Sequence, residues 1–132
     1  MALEDDAISV VAGWLSAAPS FTGTIIQATS TLVDIAGDFA IIDIAEEGAS
    51  FTVDGNGSFN GSISVSMQIV YGPLGVAAAR QFSSDVRRDV IGEADTRLLS
   101  ISTEQIAMLE PEDSPYAGRW GCQFTLELFC RP

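Results

Sequence analysis

The stretch GSISVSMQIVYGPLGVAAARQFSSDVRRDVI, residues 61–91, decides the fold. In its first half Ile63, Val65, Met67, Ile69 and Tyr71 alternate with Ser62, Ser64, Ser66, Gln68 and Val70. Period-2 alternation is the signature of a strand with one face buried and one face wet. Gly72-Pro73 stops the pattern, because Pro has no N–H to give to a ladder. In the second half Leu74, Ala78, Phe82, Val86 and Val90 recur every fourth residue, which predicts the apolar side of a helix. The other side carries Arg80, Arg87 and Arg88, half of the six basic residues of the chain. Gly92 reads as the residue that closes this helix.

Outward from that cassette, Leu3 to Ala18 reads as a helix with an apolar face of Leu3, Ala7, Val10, Val11, Trp14, Leu15 and Ala18. Glu4, Asp5 and Asp6 fall in its first turn, where the helix dipole favours anions, and Pro19 ends it. Thr22 to Gln27 and Phe39 to Ala45 read as strands. Glu46-Glu47-Gly48 reads as a break before a short extended piece, Phe51 to Val53. The run DGNGSFNG, residues 54–61, contains three hairpin-type dipeptides: Asp54-Gly55, Asn56-Gly57 and Asn60-Gly61. Arg97 to Ser102 reads as a strand, and Glu104 to Leu109 either extends it or forms a turn of helix. EPEDSPYAG, residues 110–118, reads as a polar loop. In the last strand Trp120, Cys122, Phe124, Leu126, Leu128 and Cys130 alternate with Gly121, Gln123, Thr125 and Glu127, in phase with Arg119. The expectation is one α+β domain over residues 1–132: a mixed, mostly antiparallel sheet with two helices packed on one face, and a Gly-rich hairpin segment at 46–61.

Composition limits function. The chain of 132 residues has a formal net charge of −12, and no histidine or lysine. Its charge is uneven: residues 1–79 hold nine acids and no base, and residues 80–132 hold nine acids and six arginines. A binder that neutralises phosphates is a poor match to this charge. Without histidine there is no Ser-His-Asp or Cys-His nucleophile and no His-ligated zinc. Without lysine there is no Walker A loop and no Schiff base. Cys122 and Cys130 share one face of one extended strand, roughly 26 Å apart. A disulfide needs Cα atoms within about 7 Å, so both read as free, buried thiols in a reducing compartment. The acids at 4–6 replace the basic start of a signal peptide, and no apolar run is long enough to span a membrane.

No cofactor, metal or catalytic site emerges. Asp54, Asn56 and Ser58 match the first positions of a calcium loop, but Phe59 stands where glycine is needed and Val65 where the bidentate glutamate is needed. Gly55 and Gly57 imitate a dinucleotide fingerprint with the third glycine displaced and no helix following. The turn Gly72-Pro73-Leu74-Gly75 reads as a strand-to-helix connection rather than an anion site, since Pro73 removes an amide. Glu46-Glu47 and Glu112-Asp113 are adjacent residues that point apart. The arginine face is read against a plainly solvated helix face as a contact for an acidic partner, including another copy of the chain in head-to-tail assembly.

The stretch ISVSMQIVYGPLGVAAARQFSSDVRRDVI, followed by a polar loop and RWGCQFTLELFC, resembles the strand-turn-helix core of tailed-phage tail terminator (tail completion, neck) proteins. The resemblance covers roughly residues 60–130, with weaker support from 1–27. It rests on element order and texture, and the segment 46–61 has no counterpart in it. The resemblance implies a non-enzymatic virion protein, assembled in the host cytoplasm. As implied, it forms a hexameric ring at the head-tail neck that caps the tail tube, ends its polymerisation and joins it to a head connector or stopper protein. DNA would then pass without specific binding, beside a lumen or rim of acids such as Asp43, Glu46, Glu47 and Asp54. Arg80, Arg87 and Arg88 would lie at assembly contacts. Another neck or connector subunit, and a small-ligand or carbohydrate module using the Gly/Asn/Ser loop, are the alternatives. An enzyme using carboxylates alone is the weakest reading.

Overall fold

The computed structural model describes residues 3–27, 37–53, 59–103, 107–108 and 119–130. Along the chain run α1 (Leu3–Ala17), β1 (Thr24–Gln27), β2 (Phe39–Val53), β3 (Phe59–Tyr71), α2 (Val76–Glu93), β4 (Leu98–Thr103), β5 (Ala107–Met108) and β6 (Trp120–Cys130). The class is α+β, with a mixed, mostly antiparallel sheet. Strand order is β1-β2-β3-β6-β4, and the two residues of β5 add to the end of β6. Only β1 and β2 run parallel.

The alternation in β3 and β6 explains why they lie side by side. Their antiparallel register sets Ile63 opposite Leu128, Val65 opposite Leu126, Met67 opposite Phe124, Ile69 opposite Cys122 and Tyr71 opposite Trp120. All ten are buried. β2 extends the same face with Ala40 opposite Ile69 and Ile42 opposite Met67. A full hydrophobic side chain removed from water contributes about 1.5–3 kcal/mol, so this central ladder is the main source of cohesion. Buried residues of α1 (Ala7, Ile8, Val11, Ala12, Trp14, Leu15) and of α2 (Ala79, Val86, Val90) belong to the same hydrophobic cluster as these strand residues. The reverse face carries Ser62, Ser64, Ser66, Gln123, Thr125 and Glu127, all half-buried. Gln123 Nε2 donates to Ser66 Oγ there at 3.1 Å.

Four local expectations are corrected. Glu46-Glu47-Gly48 does not end a strand: β2 runs through it. Ile44 pairs with Val65 and Ala49 with Ile63, so Ala45, Glu46, Glu47 and Gly48 together face Ser64 alone. That is a wide bulge, which keeps the strand going while the register slips. Asn60-Gly61 is not a turn, because Asn60 pairs with Thr52 and Gly61 with Phe51 inside β3. The connection between β2 and β3 is therefore residues 54–58, outside the described residues together with Asp54. Gly92 does not close α2, which continues to Glu93 and ends at Ala94, whose extended backbone donates to the Val90 carbonyl at 2.9 Å. The first strand begins at Thr24 rather than Thr22.

A fifth correction concerns the buried stripe of α2. It is Ala79, Ser83, Val86 and Val90, with Phe82 partly buried beside it. Leu74 and Ala78 are exposed. Residues four apart drift about 40° around a helix of 3.6 residues per turn, so a strict every-fourth pattern rotates off the core.

Two glycines hold positions no other residue fits. A Cβ on Gly23 would sit 2.2 Å from the Asp38 carbonyl oxygen, the acceptor that binds Thr24 N where β1 meets β2. Gly72 has φ +108°, the left-handed side where a Cβ is strained.

Candidate assembly surface

The start of α2 and the turn before it are fixed from three directions, and a further bond joins the starts of β6 and β2. Tyr71 Oη donates to the Ala79 carbonyl at 2.8 Å, and its ring stacks on Phe82 with centroids 4.3 Å apart. Trp120 Nε1 donates to the Leu74 carbonyl at 2.8 Å. Gly72 N donates to Asp38 Oδ1 at 3.2 Å. Arg119, buried, donates through Nη2 to the Gly37 carbonyl at 2.8 Å. The strand-to-helix turn is thus tied to the starts of β2 and β6, and α2 presents its outer face in a defined orientation. At the other end Ser20 N donates to Asp89 Oδ2 at 3.1 Å, joining the exit of α1 to α2. The buried Ser20 hydroxyl lies close to the same carboxylate, where it favours the charged form without reaching full hydrogen-bond geometry.

The arginines divide by what they touch. Arg87, half-buried, donates through Nη1 to Thr103 Oγ1 at 2.9 Å and so braces α2 against β4. Arg88 pairs with Asp85 at 3.3 Å, the i−3 contact expected from its spacing, and also with Asp89 at 3.3 Å. Arg97 pairs with Asp95 at 2.6 Å. Arg119, which the alternation of the last strand groups with outward-facing residues, is buried at the head of β6. Arg80 is exposed, and no partner for it is found among the described residues.

Arg80 and Arg87 share one flank of α2, as their spacing predicts, while Arg88 lies about 100° further round. Val76, Arg87, Arg80 and Ile91 fall within an arc of about 60°. Val76 is 49% exposed and Ile91 48%. Leu74, in the turn just before the helix, is 40% exposed. Of the four large apolar side chains exposed among the described residues, three therefore lie on α2 or its lead-in turn, and Leu99 on β4 is the fourth. The sequence pattern assigned Leu74 to the core side, and Val76 and Ile91 received no role. The signal that finds them is the 3.6-residue period applied outward from Val86 and Val90.

The acids of the expected lumen are not gathered by what is described. Asp43 is exposed, and its Oδ1 accepts the Ile44 amide at 2.7 Å. Glu46 and Glu47 lie in the β2 bulge, with side chains outside the described residues. Asp54 lies outside them altogether. β1 pairs only with Phe39 to Ile42, so β2 from Asp43 onward is an open sheet edge among the described residues.

The thiol and the phenol buried side by side in the core are held in neutral form. Burial pushes the Cys122 thiol up to about 11, against the smaller opposing effect of Ser83 and Tyr71 beside it. Burial likewise raises the Tyr71 phenol far above its ordinary range, and the neighbouring Cys122 adds to the shift. A protonated, buried thiol is a poor nucleophile. The Cys130 side chain lies outside the described residues. No three metal-ligating side chains cluster among the described residues, and no described helix is long and apolar enough to cross a membrane. In comparisons with known proteins, no family model matches the chain and no significant match is found among curated proteins.

Proposed function

We propose that this chain is a structural, non-enzymatic virion protein of the tailed-phage neck, a ring-forming subunit that caps the tail tube and joins it to the head connector. The observation that carries this reading is the exposed flank of α2. Solvent-facing aliphatic side chains beside an arginine that no described acid engages have the composition of a protein-protein contact rather than of a solvated helix face. The cassette behind the resemblance supports it further: β3, its Gly-Pro turn, α2 and β6 form one hydrogen-bonded unit. The net charge of −12 suits a conduit that does not hold DNA, since every neutralised phosphate would add affinity. Measuring solution mass alone and with tail tubes tests the reading. A closed ring, alone or on tubes, is the expected result. A strict monomer that ignores tubes would overturn it.

A further inference from the structure

We infer that the Val76–Arg80 end of the exposed flank of α2 is contacted, in the assembled protein, by the first turn of α1 of a second copy. This rests on the ring reading above and names the contact within it. The argument is charge complementarity between two patches of the same chain. On one side, Arg80 stands exposed one turn from the exposed Val76, and Arg87 lies two turns further along the same flank with one nitrogen held by Thr103. On the other, Glu4, Asp5 and Asp6 are three successive exposed acids in one helical turn. Among the described residues, the other acids at or near the surface offer less. Asp85 and Asp89 are engaged by Arg88, and Asp95 by Arg97. Asp43 binds its own neighbouring amide, and Glu93 stands singly at the end of α2 itself. Asp6 already contributes to the field at its own chain's Arg97, which leaves Glu4 and Asp5 as the least committed pair.

The two patches are different surfaces, so the contact is heterologous. Each copy gives its α1 turn to one neighbour and receives another neighbour's turn on α2. Such contacts propagate head to tail and yield a ring where the rotation between neighbours closes, as the ring reading requires, and an open filament where it does not. Val76 lies one turn from Arg80, and a charge pair partly covered by it in the contact is screened less than one in open solvent.

A charge swap tests this on the full-length chain by sedimentation over a concentration series. Arg80→Glu is expected to weaken association on the order of tenfold or more, since it sets like charges together. Glu4→Arg with Asp5→Arg is expected to do the same. The combined variant is expected to recover association to within a few-fold of wild type. Circular dichroism and thermal melting check that each variant folds, and Arg80→Gln provides a milder variant. If wild type forms rings and Arg80→Glu does not weaken them, or the combined variant fails to recover, this contact is wrong and the ring reading stands. If wild type never associates, alone or on tubes, both fail.

Discussion

The indole Nε1 of Trp120 reaches the carbonyl of Leu74 at 2.8 Å, so the first residue of the last strand holds the turn that launches α2. Trp120 is also the cross-strand partner of Tyr71, whose hydroxyl caps the carbonyl of Ala79 one turn into that helix. Two aromatic residues at one end of a β-ladder thereby set the height and direction of the helix. Replacing Trp120 by Phe keeps the ring in place and removes the donor. We expect a loss of about 1 kcal/mol in urea unfolding, the usual contribution of one such bond. An unchanged midpoint would show that water replaces the indole without cost.

Glycine at position 23 is a steric requirement. Gly23→Ala drives a Cβ against the Asp38 carbonyl oxygen at 2.2 Å, where backbone has no freedom to yield. A loss of about 1–3 kcal/mol is expected, as for overpacking elsewhere. Gly13 gives the contrast, since a Cβ there meets nothing within 4 Å and the residue lies inside α1. Gly13→Ala is expected to stabilise by about 0.5–1 kcal/mol through helix propensity. Melting curves of both variants with opposite signs would bear this out.

Acid stability tests the joint between α1 and α2. Ser20, first through its side chain and then through its amide, and Arg88 hold the Asp89 carboxyl below its ordinary range. A carboxylate depressed in the folded state favours folding above the unfolded value near ~4 and loses that contribution as pH falls through the folded value. The melting temperature of wild type is therefore expected to fall more steeply below about pH 4 than that of Asp89→Asn. Parallel curves would show that the Ser20 contact does not link folding to protonation.

Alkaline behaviour tests the core thiol. Cys122 titrates at about 11 in the fold, above the ordinary thiol value near ~8.5. The unfolded chain then loses its proton first, so stability declines as pH rises from about 8.5 towards the folded value. In a Cys130→Ser background, Cys122 is expected to resist iodoacetamide at pH 8 until denaturant is added. Rapid labelling of the native protein would place the thiol at an accessible surface.

Legibility followed environment. β3 and β6 were readable residue by residue because each has one face in the core and one in water, and alternation records that division directly. The β2 bulge was not readable. Glu46-Glu47-Gly48 has the composition of a chain break, and the pairing of Ala49 to Val53 with Ile63 to Phe59 beyond it keeps it in the sheet. The flank of α2 was half readable: seven-residue spacing placed Arg80 with Arg87, while a four-residue stripe sent Leu74 to the wrong side. Arg119 was opaque for another reason. Its described partner is the backbone of Gly37, 82 residues away, and a backbone carbonyl leaves no side-chain signal in the sequence.

The bulge at Ala45–Gly48 has a consequence for how the protein survives at high concentration. Beyond Ile42, β2 offers its outer row of amides and carbonyls to no described strand, which is the template on which sheets aggregate. Four residues set against one interrupt that row, so a straight foreign strand cannot dock along it in register. Two of those four residues are glutamates, which add repulsion between copies whose charge is already −12. The same irregularity that hid β2 from the sequence pattern therefore acts as a guard against fibre growth. Pairing of bare backbone with bare backbone, which selects no partner, is thereby disfavoured along this edge.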